Sequence, residues 1–280
     1  EAGAGPRVFP ESVTDAEQPV ERRSLHFTPN PRIASALFPK IRVRVRFSKT
    51  GDLRYLSHRE LMTAFIRAVR RADIPVAYSQ GFHPSPRMSF GPPLNVGVRG
   101  LREYFDMEVR PGHRIIGRVR DLGGYLPDGL GVHDARLISP DEPSLQSFIS
   151  RYEYEIICPD SRVIEDFVGE NSGTIGGENG PGGGVPEDLR EMVEDITVVD
   201  HRTVRLMVAD RSEKKVKLGE VIPGVFHLPV EELTVTRLCM FGWRGGWRDP
   251  LDSSHDETEI GNGTTDSMVR SGKSLDGEGE

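Results

Sequence analysis

Cysteine is nearly absent: Cys158 and Cys239 are the only two in 280 residues. Two thiols cannot form a disulfide framework, so a reducing, cytoplasmic setting is the default. Nor can they supply the three or four thiolates that an iron–sulfur cluster takes. Long apolar runs are also missing. None approaches the roughly 20 residues that span a bilayer, and no secretory signal pattern opens the chain. Hydrophobic residues make up only 36%, enough for cores but not for a core under every segment. His58, His83 and His113 lack the spacing of a metal site, and the cysteines stand alone. Nucleophile motifs, diagnostic carboxylate pairs and phosphate loops are likewise not seen.

What is present is an uneven charge. From Lys40 to Arg120 there are 17 Lys or Arg, 15 of them Arg, against 6 Asp or Glu. That excess of 11, set against a net charge of −7, leaves −18 for the rest of the chain. Such asymmetry points to a polyanion-binding half, or to a basic half docked on an acidic one. Arginine favours planar, bidentate contacts to phosphate or carboxylate.

The stretch from Tyr78 to Val98 concentrates the remaining signal. Pro84, Pro86, Pro92 and Pro93 each fix φ and remove a donor, and each pushes the preceding residue toward extended backbone. The stretch reads as a stiff loop between short strands, presenting Gln80, His83, Ser85, Arg87 and Ser89. Stiff loops that carry polar groups are where binding sites concentrate; the plainer reading is a proline-rich turn kept for packing.

Along the chain, residues 1–39 hold six prolines and little periodicity and are expected to be a disordered lead or linker. Ile41–Phe47 alternates, with Ile41, Val43, Val45 and Phe47 on one face and Arg42, Arg44 and Arg46 on the other, which predicts a half-buried strand. Ser57 and Glu60 have capping-box spacing, and Leu61, Phe65, Ala68 and Val69 continue at helical spacing. Extended segments at 76–80, 87–90 and 104–109, a weak helix at 115–122 and a strand at 131–138 complete a strand–helix–strand–strand–helix–strand order. Residues 150–245 repeat that order loosely, with strands at 152–157, 196–199, 203–208 and 233–241, helices at 162–168 and 218–221, and a glycine-rich insertion at 169–186. The fold class expected is α+β, two tandem ferredoxin-like (βαββαβ) units over 40–140 and 150–245, followed by an acidic, disordered tail at 246–280.

In a ferredoxin-like unit one sheet face packs on helices and the other is free, which would set Arg42, Arg44 and Arg46 on the free face. Such faces serve RNA binders; alternatively the arginines pair with acids such as Glu153 and Glu155. His58, in the first turn of a capped helix, is expected to be neutral and so a competent general base. A ribonuclease site with His58 or His83 is the catalytic alternative; surface or structural histidines are the plainer one. Gly81, tolerant of positive φ, and the following prolines predict one ordered corner over Gln80–Pro84. Phe82 is expected to turn inward, and Arg54, Ser57, His58, His83 and Arg87 to form an anion pocket at the helix start.

The runs Arg46–Gly51, Leu56–His58, Tyr78–Pro84 and Arg87–Phe90 resemble the radical-SAM-linked family of uncharacterised bacterial proteins, found beside or fused to cobalamin-binding radical SAM proteins. The likeness spans about Lys40 to Phe241. It implies an accessory role for a radical SAM enzyme, separate or fused upstream of Glu1. The iron–sulfur cluster, S-adenosylmethionine and cobalamin would then all belong to that partner. It also marks Ser57, His58, Gln80, Gly81, Phe82, His83, Pro84, Arg87, Ser89 and Phe90 as candidate site residues. RNA binding without catalysis, a metal-independent ribonuclease and a protein-binding domain all stay open.

Overall fold

The computed structural model describes residues 39–80, 82–170, 185–211 and 214–252. Most of the expected lead, the heart of the glycine-rich insertion, Gly81 and the tail beyond Asp252 lie outside them. The protein is mixed α+β, with few helices on a mostly antiparallel sheet. Among the described residues no helix is long and apolar enough to cross a membrane.

The first half contains β1 (Ile41–Lys49), α1 (His58–Arg71), β2 (Met88–Phe90), β3 (Arg99–Val109), α2 (Ile115–Arg120) and β4 (Leu130–Ile138). A 3-10 turn, Gly51–Tyr55, precedes α1. After α3 (Leu145–Phe148) come β5 (Ile149–Ile157), α4 (Arg162–Glu170), α5 (Glu187–Arg190), β6 (Val193–Val198), β7 (Thr203–Ala209), α6 (Leu218–Phe226), β8 (Thr234–Trp243) and β9 (Trp247–Arg248). The strands lie in the order β4-β1-β3-β8-β5-β7-β6, with β2 on β3 and β9 on β8. The halves therefore lie edge to edge, joined where β3 meets β8 in a short parallel pairing at Arg99–Thr236 and Gly100–Arg237.

Each half has its own core. Val43, Val45 and Phe47 of β1 are buried with Leu61, Phe65, Ala68 and Val69 of α1, as their spacing requires. Phe47, Phe65, Phe90 and Phe105 form one aromatic cluster, with Phe47 and Phe65 edge to face at 4.8 Å and Phe90 and Phe105 stacked at 5.0 Å. In the second half Tyr152, Tyr154 and Ile156 of β5 pack with Leu206 and Val208 of β7 and Val221, Ile222 and Val225 of α6.

Two elements run past their expected ends. Helix α6 continues through Pro223 to Phe226. A mid-helix proline costs about 3 kcal/mol, but five apolar side chains of α6 are buried, each contributing roughly 1.5–3 kcal/mol. Order also extends beyond residue 246: Trp247 and Arg248 pair with β8, Leu251 is buried, and Asp249 accepts a hydrogen bond from the Tyr104 hydroxyl at 2.7 Å.

Candidate functional site

The arginine face of β1 is largely spent on the protein's own acceptors. Arg44 and Asp106 are cross-strand neighbours on β1 and β3. The Arg44 guanidinium donates to both Asp106 oxygens, at 2.7 and 3.0 Å. Its other bonds go to the carbonyls of Pro250 at 3.0 Å and Pro143 at 3.2 Å, and the side chain is 2% exposed. Arg42 donates to the Glu142 carbonyl at 2.5 Å, with its Nε 3.7 Å from Asp106. Arg46 stays half-buried. The face is covered by the 139–144 connection and by residues 249–251, and its acidic partner is Asp106 rather than Glu153 or Glu155. Glu153 instead accepts from the Cys239 thiol at 2.9 Å; burial and that carboxylate push the thiol up to about 12.

Helix α1 starts as its sequence dictates. The Ser57 hydroxyl accepts from the Glu60 N–H, and Glu60 Oε2 accepts from the Ser57 N–H at 2.8 Å. One orphan donor of this helix start, the Glu60 N–H, is thus taken by the Ser57 hydroxyl, and the Glu60 carboxylate beside it opposes an external anion. The hydrogen bond from Ser57 holds the Glu60 carboxyl below its ordinary range. His58 sets its ring edge-on against Phe90 at 5.7 Å. Its pKa is lowered, first by burial and then by the charge of Lys49. Neutrality was expected, but from the helix dipole.

The Gln80–Pro84 loop is the tip of a hairpin. Its neck is fastened by Ser79 N–H to the Ser85 carbonyl at 2.8 Å and Arg87 N–H to the Ala77 carbonyl at 2.8 Å. Ser85 N–H also donates to Ser79 Oγ at 3.0 Å, and Tyr78 bridges Pro86. Behind it, Ala77 and Arg87 bond to both sides of Glu108, so the hairpin grows from the edge of β3. Phe82 does not turn inward: it is 91% exposed. Because the neck is closed by the serines and the backbone, the corner holds without an aromatic anchor. Gln80, His83 and Ser85 are exposed beside it and Pro84 is half-buried. Ser89, on β2, is also exposed.

Of the side chains expected to form one anion pocket, the two arginines have partners of their own. Arg87 lies 3.3 Å from Glu108, and Arg54 stacks on Tyr55 at 4.6 Å while donating to its hydroxyl at 2.7 Å. Among the described residues no hydrogen bond or ion pair links Arg54, His58, His83 and Arg87 to one another. Uncommitted positive charge lies elsewhere, on the outer face of α1. Arg59, Arg67 and Arg70 are exposed there, and none pairs with a carboxylate among the described residues. They lie off the buried stripe formed by Leu61, Phe65, Ala68 and Val69.

Sequence reading also missed the charged seam. Glu103 and Arg237, both buried, form a bidentate pair across the junction of the halves, at 2.9 and 2.5 Å. Lys49, 1% exposed, donates to the Leu56 carbonyl nearby at 3.0 Å.

A family model described as an uncharacterized protein conserved in bacteria (DUF2344) matches residues 42–218, well over half the chain, including the hairpin tip. No curated protein matches the chain. Among solved structures, the acetolactate synthase small subunit from Thermotoga maritima aligns at 12% identity over 74% of this chain and 99% of that one. Its TM-score of 0.24 is too low to carry an argument.

Proposed function

We propose that this chain, which belongs to the uncharacterized DUF2344 family conserved in bacteria, is an accessory module that binds unpaired RNA for a radical SAM enzyme. The observation that carries the reading is Phe82, 91% exposed at the tip of a clamped hairpin. An apolar ring held in water is costly to display, and single-strand binders use such rings to stack bases. The closed neck limits the tip's freedom before any ligand arrives, so less ordering entropy is lost on binding. Beside the ring, His83 and Gln80 offer hydrogen-bonding groups. Arg59, Arg67 and Arg70 on α1 supply charge for phosphates.

The radical SAM partner enters through the motif resemblance; in this reading the cluster, S-adenosylmethionine and cobalamin are the partner's. We also read the two halves as tandem ferredoxin-like units, since the orders β4-β1-β3-β2 and β8-β5-β7-β6 repeat one pattern.

The test is binding of a labelled single-stranded RNA oligonucleotide to the parent chain and to Phe82→Ala. Loss of one stacked base should cost about 1–3 kcal/mol, roughly 5- to 150-fold in affinity. Unchanged RNA affinity, with loss of co-purifying radical SAM protein, would make the tip a protein contact instead. Cleavage of the oligonucleotide by the purified parent, lost in His58→Ala or His83→Ala, would replace the module reading with a ribonuclease.

A further inference from the structure

Two cavities of similar size open along the seam, and the state of their cations separates them. One, of about 550 Å³, lies between Pro92–Pro93 and the start of α6. Its cations are already matched: Arg237 to Glu103, Lys215 to Asp210 at 2.9 Å, and Lys217 to Glu220 at 2.8 Å. The other, of about 530 Å³, is walled by Arg54, Tyr55 and 96–99 from the first half and by 230–235 from the second. Here neither Arg54 nor Arg99 pairs with a carboxylate among the described residues. The Nε–H of Arg99 is buried and reaches no acceptor among them. Arg42 Nε and Arg151 Nε share that condition; what sets Arg99 apart is that it also lines a cavity whose other arginine pairs with no carboxylate among the described residues.

We propose that this second cavity binds a small organic anion, its phosphate or carboxylate oxygens held by Arg54 and Arg99. Arg99 opens β3, at the residue paired with Thr236 of β8, so its backbone is fixed by the sheet. Arg54 is held on the same wall: its carbonyl accepts the Gly97 N–H at 2.9 Å. Gly97 has φ +86°, a conformation that favours glycine, and so the 95–98 loop is shaped to meet the 3-10 turn. The Arg54 guanidinium spends one NH2 bond on the Tyr55 hydroxyl, which leaves donors for an oxyanion. Guanidinium is the side chain suited to bidentate recognition of both anion types. Val96, Leu233 and Val235 supply apolar wall for the body of the molecule. The volume falls within the range of roughly 300–1,000 Å³ common for small-ligand sites, which often lie between structural halves. Glu231 and Glu232 also line the cavity. They disfavour anions of high charge and suit a ligand that carries a hydroxyl or ammonium as well. This site is independent of the RNA reading and does not use the hairpin tip.

The experiment is isothermal titration of the full chain with glycerol 3-phosphate and, separately, with lactate, each an oxyanion of low charge that also carries a hydroxyl. Saturable binding of one or both, at one equivalent per chain, is expected; which one binds names the oxyanion. Arg99→Gln and Arg54→Gln should each weaken it at least tenfold, while the control Arg205→Gln, at an exposed position of β7, retains it. Glu231→Gln with Glu232→Gln should tighten it several-fold, an effect that a purely structural Arg99 would not produce. Thermal melting of each variant establishes that it folds, and the solvent-side position of Arg54 keeps the test open should Arg99→Gln fail. No saturable binding of either probe overturns the proposal. So does binding that Arg54→Gln leaves unchanged, or that Arg205→Gln weakens equally.

Discussion

His58 shows how a single residue couples site to stability. Its folded pKa is lowered, chiefly by burial, so in acid the unfolded chain takes up the proton first. Stability tied to this group is therefore present above the unfolded value near 6.5 and falls as pH drops through it toward the lower folded value. His58→Gln removes the titration. Its urea midpoint should decline less than the parent's between about pH 7 and 5, apart from a constant offset for the lost Phe90 contact. Parallel declines would contradict the assignment. Phe82 is the instructive opposite. The sequence marked it as special within the Gln80–Pro84 run, yet the inward turn inferred for it was wrong. Local rules say that a corner is stiff; they do not say whether an aromatic or a pair of serines closes it.

At the scale of elements, strand β1 and helix α1 were legible because their signals are local. Alternation separated Val43, Val45 and Phe47 from the arginines, and Ser57 with Glu60 announced the helix start. The capping box makes its own prediction: Ser57→Ala should cost about 1 kcal/mol, read as a lower denaturation midpoint, whereas a loss near zero would mean the helix start is held by packing alone. Less legible was what covers the second face of β1. Arg44 looked like a surface residue because the chain that buries it, Pro143 and Pro250, lies roughly a hundred residues or more away. The start of β3 was hidden for a related reason. The expected segment began at Tyr104, and only the partner Arg237, which faces Glu103 from β8, makes a buried glutamate tolerable. A Cβ added at Gly100 would come within 2.7 Å of Glu103 Cγ, so the glycine makes room for that carboxylate to fold back. Helix α6 ran past Pro223 because its apolar face outweighed one missing hydrogen bond.

The whole molecule is two cores on one sheet, and its seam is charged. Glu103 faces Arg237, with Lys49 close behind. Removing one member leaves buried charge uncompensated, so Glu103→Ala should cost about 3–5 kcal/mol, while the apolar pair Glu103→Leu with Arg237→Met should recover much of that loss. Equilibrium unfolding measures both; a Glu103→Ala variant as stable as the parent would show that the pair is dispensable. The same scale bears on the proposed RNA binding, because charge that the fold keeps for itself cannot hold a phosphate. Arg44→Ala is accordingly expected to lower stability and leave the salt dependence of RNA binding alone. Arg59, Arg67 and Arg70 are uncommitted and should carry that dependence. The most direct measurement is the affinity for single-stranded RNA as a function of salt, in the parent and in the variant with all three changed to alanine. The account predicts a parent log–log slope that becomes shallower by about 2 in the variant, roughly 0.7 for each lost phosphate contact. A flat parent slope, or one the three substitutions leave unchanged, would contradict it.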